Sequence, residues 1–257
     1  LFSELYINMV AAGELGGSLA EVTGRLASYL EASSALKRRV KSALTYPVVV
    51  MILAGLLTLG MLIFIVPRFA GIYDDFDADL PAPTEMLVSV SDVLRNYSPF
   101  VAIAAVIGIV ILKRLLKTEK GSYYFDRLLL RAPVAGPLIE KIALARMART
   151  FASLMRSGVP ILKALEIVGK ATGNQYLGHA ISRCGNDIEG GSTIASALED
   201  TKKFPPMVIH MVGAGEKTGD IDGMLEKVAD FYEDEVGNSL DALSSTIEPL
   251  LMAFLGI

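Results

Sequence analysis

The chain has 257 residues, 52% of them hydrophobic, and a formal net charge of −4. So balanced a charge offers no broad basic surface for nucleic acid, and a single cysteine, Cys184, excludes an intrachain disulfide. No Cys/His cluster has metal-ligand spacing, so no metal or other cofactor is expected, and Cys184 reads as a small buried apolar residue.

In chain order, an apolar helix comes first and ends in the turn Gly13-Glu14-x-x-Gly17. Ser18 with Glu21 has the capping-box spacing that opens a long amphipathic helix running to Pro47. Residues 48–66 carry no charge and are bracketed by Pro47 and Pro67, which suits the roughly 20 residues of a transmembrane helix. Residues 67–98 read as an external loop, with Asp74, Asp75, Asp77, Asp79, Glu85 and Asp92 against only Arg68 and Arg95. A second span is expected at 99–116, where Lys113, Arg114 and Lys117 snorkel while Leu115 and Leu116 stay in the apolar layer. Lys37, Arg38, Arg39 and Lys41 precede the first span. Two basic flanks around an acidic connection give a positive-inside hairpin, with both long soluble segments in the cytoplasm.

Residues 117–248 read as a helical domain of about six short helices. The first carries Leu144, Met147, Phe151 and Leu154 on one face, and Arg146, Arg149, Ser153 and Arg156 roughly opposite. Gly158 and Pro160 stop and restart the chain, with the proline suited to a first turn. Gly173 closes the second helix, Asn174 caps the third, Gly190-Gly191-Ser192 precedes a short fourth, and Pro205-Pro206 opens the fifth. After Gly219 a sixth helix begins, with Asp220 as its N-cap, and runs toward Pro249. Leu250–Ile257 is apolar, so a third span is expected to start at 249–257. Leu1 falls inside a helix and Ile257 inside an apolar run, which gives the chain the look of a piece of a longer protein.

Phe2–Pro47 recurs as Phe204–Pro249, shifted by 202 residues without a gap, with twelve of forty-six positions identical. Gly215-Glu216-x-x-Gly219 is the second copy of the first turn. Gly213-Ala-Gly-Glu-Lys-Thr-Gly219 superficially resembles a phosphate-binding loop, but Glu216 and Met211 stand where that motif needs glycine, and no strand precedes it. Asp220 and Asp222 do not make an intramembrane aspartyl protease, because the apolar runs 48–66 and 99–112 contain no ionisable residue; the same absence disfavours a proton-coupled pump. His179 and His210 stand alone as ordinary helix residues.

Two patterns stay open. In the repeated turn, Gly13 and Gly215 are expected to end a helix in the left-handed conformation, with Glu14 and Glu216 near the positive end of the next helix. The alternative is a partner contact through Gly13, Glu14, Gly17, Gly215, Glu216 and Gly219. Arg146, Arg149 and Arg156 are either a solvated face or a basic stripe that docks an acidic protein surface.

Taken together, the two Gly-Glu-x-x-Gly turns, the Ser42-x-x-x-Tyr46-Pro47 entry, the Val66-Pro67-x-Phe69 exit, Leu80-Pro81-x-Pro-Thr84, and Leu154-x-x-x-Gly158-Val-Pro160 with Ala164-Leu165 resemble the inner-membrane platform family of type IV pilus assembly and type II secretion, protein F. The resemblance covers essentially the whole chain. It implies an all-α polytopic membrane protein with duplicated antiparallel six-helix-bundle cytoplasmic domains. Residues 1–47 would be the end of the first domain, 117–248 the complete second. It further implies a non-enzymatic platform in the bacterial inner membrane, coupling a cytoplasmic hexameric assembly ATPase to pilin or pseudopilin subunits. Other inner-membrane assembly proteins, membrane lipid and further copies of the chain are the implied neighbours. Pro47 and Pro249, lacking a backbone N–H, are expected to let the long helices bend where they enter the membrane. A receptor or adaptor sensing through residues 67–98, and more distantly a membrane enzyme or transporter, are the competing classes.

Overall fold

The computed structural model describes all residues except 1–3, 16, 18, 77–79, 256 and 257, and among the described residues every regular element is a helix. In order these are α1 (Glu4–Leu15), α2 (Leu19–Gly60), a π-helical turn (Met61–Ile65), α3 (Val66–Asp75), α4 (Ala82–Leu116), α5 (Glu119–Leu129), α6 (Ala135–Arg156), α7 (Ile161–Ala171), α8 (Gln175–Glu189), α9 (Ile194–Asp200), α10 (Pro206–Thr218) and α11 (Ile221–Leu255). The chain divides into two units, one of Leu1–Ser42 with Glu119–Leu243, the other of Ala43–Thr118 with Ser244–Ile257. The Ser18 cap, Asp77, Asp79 and the last two residues of the expected third span lie outside the described residues.

In the first unit α6 is the core. Ala143, Leu144, Ala145, Met147, Ala148, Thr150, Phe151, Ala152 and Leu154 are all buried, so this helix is covered on far more than the one face its leucines mark. Along α11, Leu225, Val228, Ala229, Tyr232, Val236 and Leu240 are buried at helical spacing, and from α2 Val22, Leu26 and Leu36 join them. Tyr29 Oη lies 3.2 Å from Thr150 Oγ1, tying α2 to α6. Asn174 caps α8 by accepting the Leu177 N–H at 3.0 Å, and Asp220 caps α11 by accepting the Gly223 N–H at 3.1 Å.

Two local expectations change. Pro160 precedes α7 as its N-cap residue with an extended ψ of 140°, rather than sitting in the first turn. Residues 117–248 also hold α5 in addition to α6–α11, one helix more than the six expected. Tyr124, Phe125, Leu128 and Leu129 fall on one side of it and Tyr123 on the other.

In the second unit, α2 runs through Pro47 without a break. The helix from Leu19 to Tyr73 is the one among the described residues that is long and apolar enough to cross a membrane. Val48, Met51, Ile52, Leu56 and Leu57 on it are exposed, as are Phe100, Ile103, Val106, Ile107 and Val110 on α4. Residues 67–98, expected as a loop, are instead mostly helical: α3 continues to Asp75 and α4 starts at Ala82.

The reason the first helix passes Pro67 is local. In the π-helical turn the Val66 N–H bonds the Met61 carbonyl, five residues back. The next carbonyl, that of Leu62, would need the N–H of residue 67, and proline has none. Ser91 of α4, fully buried, donates its hydroxyl to the Leu62 oxygen at 2.5 Å. A neighbouring helix thus supplies the hydrogen bond that the proline removes, as apolar surroundings require.

Candidate functional site

In both copies of the turn the two described glycines do different work from that expected. Gly13 lies inside α1 and Gly215 inside α10, and neither is left-handed; the left-handed residues are Gly17 (φ +68°) and Gly219 (φ +78°). Gly219 ends α10 and swings the chain into α11. Gly215 is needed for a different reason. A Cβ there would stand 2.8 Å from Ile221 Cα and 3.0 Å from the Asp220 carbonyl oxygen, backbone that cannot retreat. A Cβ at Gly13 would meet Val22 Cβ and Cγ2 at 3.0 Å. The first glycine admits the following helix and the second turns the chain toward it.

Glu216 does not serve the helix that follows it. Its carboxylate reaches across to α9, accepting the Ile194 N–H at 2.5 Å and the Ala195 N–H at 3.0 Å. These are two of the orphan donors at a helix start, where the backbone dipole favours negative charge. Thr193 accepts the Ser196 N–H at 3.1 Å and completes the cap. Glu14, the equivalent residue 202 positions earlier, is exposed; its carbonyl accepts the Gly17 N–H at 3.4 Å, and its carboxylate makes no hydrogen bond or ion pair among the described residues.

Grooves flank this motif in both copies. One, of about 630 Å³, is lined by Ile209, His210, Gly213, Lys217 and the start of α9. Another, of about 740 Å³, is lined by Asn8, Ala11, Ala12, Arg25 and the α6–α7 turn. Asn8, Ala11 and Ala12 are offset by 202 from His210, Gly213 and Ala214, so the same helix face borders a groove twice.

Of the basic stripe, Arg149 and Arg156 turn toward α11. Arg149 Nε donates to Glu233 Oε1 at 2.9 Å and its Nη2 to Asp230 Oδ1 at 2.5 Å, with only 16% of the side chain exposed. Burial acts to lower its pKa, but the two carboxylates outweigh it and leave the guanidinium above its ordinary value. Arg156 pairs with Glu226 and Asp222, and hydrogen bonds to Glu226 likewise raise it. The Arg156 carbonyl in turn accepts from Arg25 of α2. Arg146 is half-buried, with Nη1 beside Gly173. Arg149 and Arg156 therefore form a seam joining α6 to α11, not an open basic face. Asp222, Glu226, Asp230 and Glu233, spaced by four, four and three, were the readable signal for it.

Among the described residues no group of three His, Cys, Asp or Glu side chains could hold a metal ion. His179 packs edge-on against Tyr123 at 5.5 Å. Burial pushes the Cys184 thiol up to about 11, and its Sγ donates to the Ala180 carbonyl at 3.2 Å, which makes it a poor nucleophile.

With this geometry in hand, similarity to known proteins is informative. The family described as "Type II secretion system (T2SS), protein F" matches residues 1–67 and 147–257. The type IV pilus assembly protein PilC of Myxococcus xanthus is 42% identical over 256 residues, covering 100% of this chain and 61% of that protein. PilC of Pseudomonas aeruginosa is 38% identical over 258 residues, with 100% and 69% covered. The type II secretion system protein F of Xanthomonas campestris is 37% identical over 252 residues, with 98% and 62% covered. This chain thus spans under two thirds of the length of most of these relatives, and it belongs to the type II secretion system protein F family.

Proposed function

We propose that the protein is a non-enzymatic platform of the bacterial inner membrane, coupling a cytoplasmic hexameric assembly ATPase to the addition or removal of pilin or pseudopilin subunits. The observation that carries this reading is similarity along the whole chain both to pilus assembly proteins and to a secretion protein F. In this reading residues 48–66 and 99–116 span the membrane, 249–257 start a third span, and the flanking soluble segments face the cytoplasm. The chain works beside other inner-membrane assembly proteins and further copies of itself.

The architecture supplies a way to transmit force. α2 and α11 each pass without interruption from the unit holding the repeated turns into the apolar unit, and each contains its proline, Pro47 or Pro249. A motor acting on the soluble helices would move the spans through them. The ion-paired seam of Arg149 and Arg156 keeps α6 and α11 moving together, which suits a part that must not shear. Contact with a motor then falls to exposed positions such as Glu14, His210 and Lys217 rather than to the seam.

The test is expression in a pilus-forming bacterium lacking its own platform protein, with photocrosslinking residues at Glu14, His210 and Lys217. Restored fibres and capture of the assembly ATPase or a pilin are the expected result. A membrane-inserted chain that restores no fibres and captures neither would refute the proposal.

A further inference from the structure

Helix α5 follows α4 after only two residues, and its sides are sharply different. One side docks on α8. The Tyr123 ring lies 5.4 Å from Tyr176 and 5.5 Å from His179, Asp126 Oδ2 accepts the Gln175 N–H at 2.7 Å, and the Arg127 guanidinium sits 5.8 Å over the Tyr176 ring. The other side carries Tyr124, 66% exposed, Leu128, 69% exposed, and Phe125, 37% exposed. At 3.6 residues per turn this apolar arc is centred about 160° from the docked one. Val134, just beyond the helix, is 65% exposed as well.

Scattered exposed apolar residues need no explanation. This set differs in its surroundings. Lys113, Arg114 and Lys117 end α4, and Lys120 and Arg131 border the apolar arc of α5; all five are exposed. The one acidic residue among them, apart from the engaged Asp126, is Glu119. An apolar stripe containing a tyrosine, edged with cations and tied by two residues to a long apolar helix, has the composition of a helix lying in a membrane–water interface. Tyrosine suits that depth because its ring is apolar and its hydroxyl wet.

We infer that α5 lies flat on the membrane, with Tyr124, Phe125 and Leu128 in the headgroup layer and Lys120 and Arg131 on anionic lipid phosphates. The inference rests on the reading of α4 as a membrane span. Its consequence is orientational. Because the opposite side of α5 holds Tyr176, Gln175 and His179, the helix ties α8 to the bilayer surface and fixes which way the soluble helices face. It gives the platform a second hold on the membrane besides the spans.

The experiment places a nitroxide on one introduced cysteine at a time in the full chain, in nanodiscs of phosphatidylcholine with and without phosphatidylglycerol. Buried Cys184 stays unlabelled in the folded protein. Collision with oxygen and with a water-soluble nickel chelate reports depth at Tyr124→Cys and Leu128→Cys, with Ile107→Cys in α4 and His210→Cys in α10 as references. Labels at 124 and 128 are expected to lose nickel access relative to 210, to be shallower than 107, and to move toward water when phosphatidylglycerol is omitted. Deep 107 with 124 and 128 as wet as 210 overturns the inference and leaves the span standing. A wet 107 removes the span and the inference together. Loss of both oxygen and nickel access at 124 and 128 means that protein covers the face, and equal depth in the two lipids removes the anionic surface; either result overturns the assignment.

Discussion

Removing the Glu216 carboxylate tests whether the repeated motif is held by its reach to α9. In Glu216→Ala the Ile194 and Ala195 N–H groups, now bonded at 2.5 and 3.0 Å, lose their acceptor. A hydrogen bond to a charged group contributes about 1.5–3 kcal/mol, and loss of an N-cap costs about 0.5–2 kcal/mol. Glu216 is only half-buried, so water recovers part of the loss and the lower end of the sum applies, about 2 kcal/mol. If α9 opens on its own, that is about a 30-fold larger opening constant. Glu216→Gln keeps one acceptor oxygen but turns an NH2 toward the other amide, and should lose about half as much. The assay is hydrogen exchange on the intact chain in detergent, following peptides that cover Ile194 and Ala195. Glu14→Ala is the internal control: with no partner for its carboxylate among the described residues, it should change stability by less than about 0.5 kcal/mol. Unchanged exchange at α9 in Glu216→Ala, or an equal cost in Glu14→Ala, would refute the reasoning.

Within the motif, Gly215→Ala should destabilise more than Gly219→Ala, about 3 against about 1 kcal/mol, because the first drives a Cβ into the Ile221 backbone and the second only strains a left-handed residue; thermal unfolding ranks them, and a reversed order would contradict the close approach. Ser91→Ala should cost about 1–3 kcal/mol by orphaning the Leu62 carbonyl. Pro67→Ala restores a donor nearby, so in a double-mutant cycle the pair should cost less than the sum, and strict additivity would mean that the serine and proline are unconnected. Lys141 Nζ, 2.8 Å from Glu235 Oε2, holds that carboxyl below its ordinary 4.5. A lowered carboxyl pKa contributes stability above pH 4.5 and loses it as pH falls through the lowered value, so the Tm gap between wild type and Lys141→Met should shrink below that pH. A gap that stays constant to about pH 2 would exclude the linkage. In a pilus-forming host, replacing Pro47 and Pro249 together by alanine should impair fibre assembly while leaving Tm the same or higher, and normal fibres from a stable double variant would remove the bending role.

Helix identity was readable wherever local chemistry decides it. Asn174 and Asp220 cap because a short side chain beside a free N–H has one good use, and Gly219 turns because no side chain opposes it. Long-range partners were not readable. That Glu216 serves a helix 22 residues upstream depends on how α9 and α10 pack, and no local pattern encodes it. Pro67 read as an end because proline breaks a helix; it fails to do so because Ser91, 29 residues from Leu62, replaces the missing bond. The arginine stripe read as a surface because α6 was taken alone. The acidic series on α11 was present in the sequence, and pairing the two periodicities would have turned the arginines inward.

The spacing of the repeat gains meaning once the helices are seen to be continuous. α2 starts at Leu19 and holds Pro47; α11 starts at Ile221 and holds Pro249; in each, 28 residues separate the start from the proline. At 1.5 Å per residue that is a rod of about 42 Å. A tilt of about 10° at the turn would carry the proline end of such a rod about 7 Å. In each copy the left-handed second glycine, Gly17 or Gly219, makes the turn, and the first lies against the start of the rod, Gly13 at Val22 and Gly215 at Ile221. If the rods transmit motion, equal length gives the two copies equal reach.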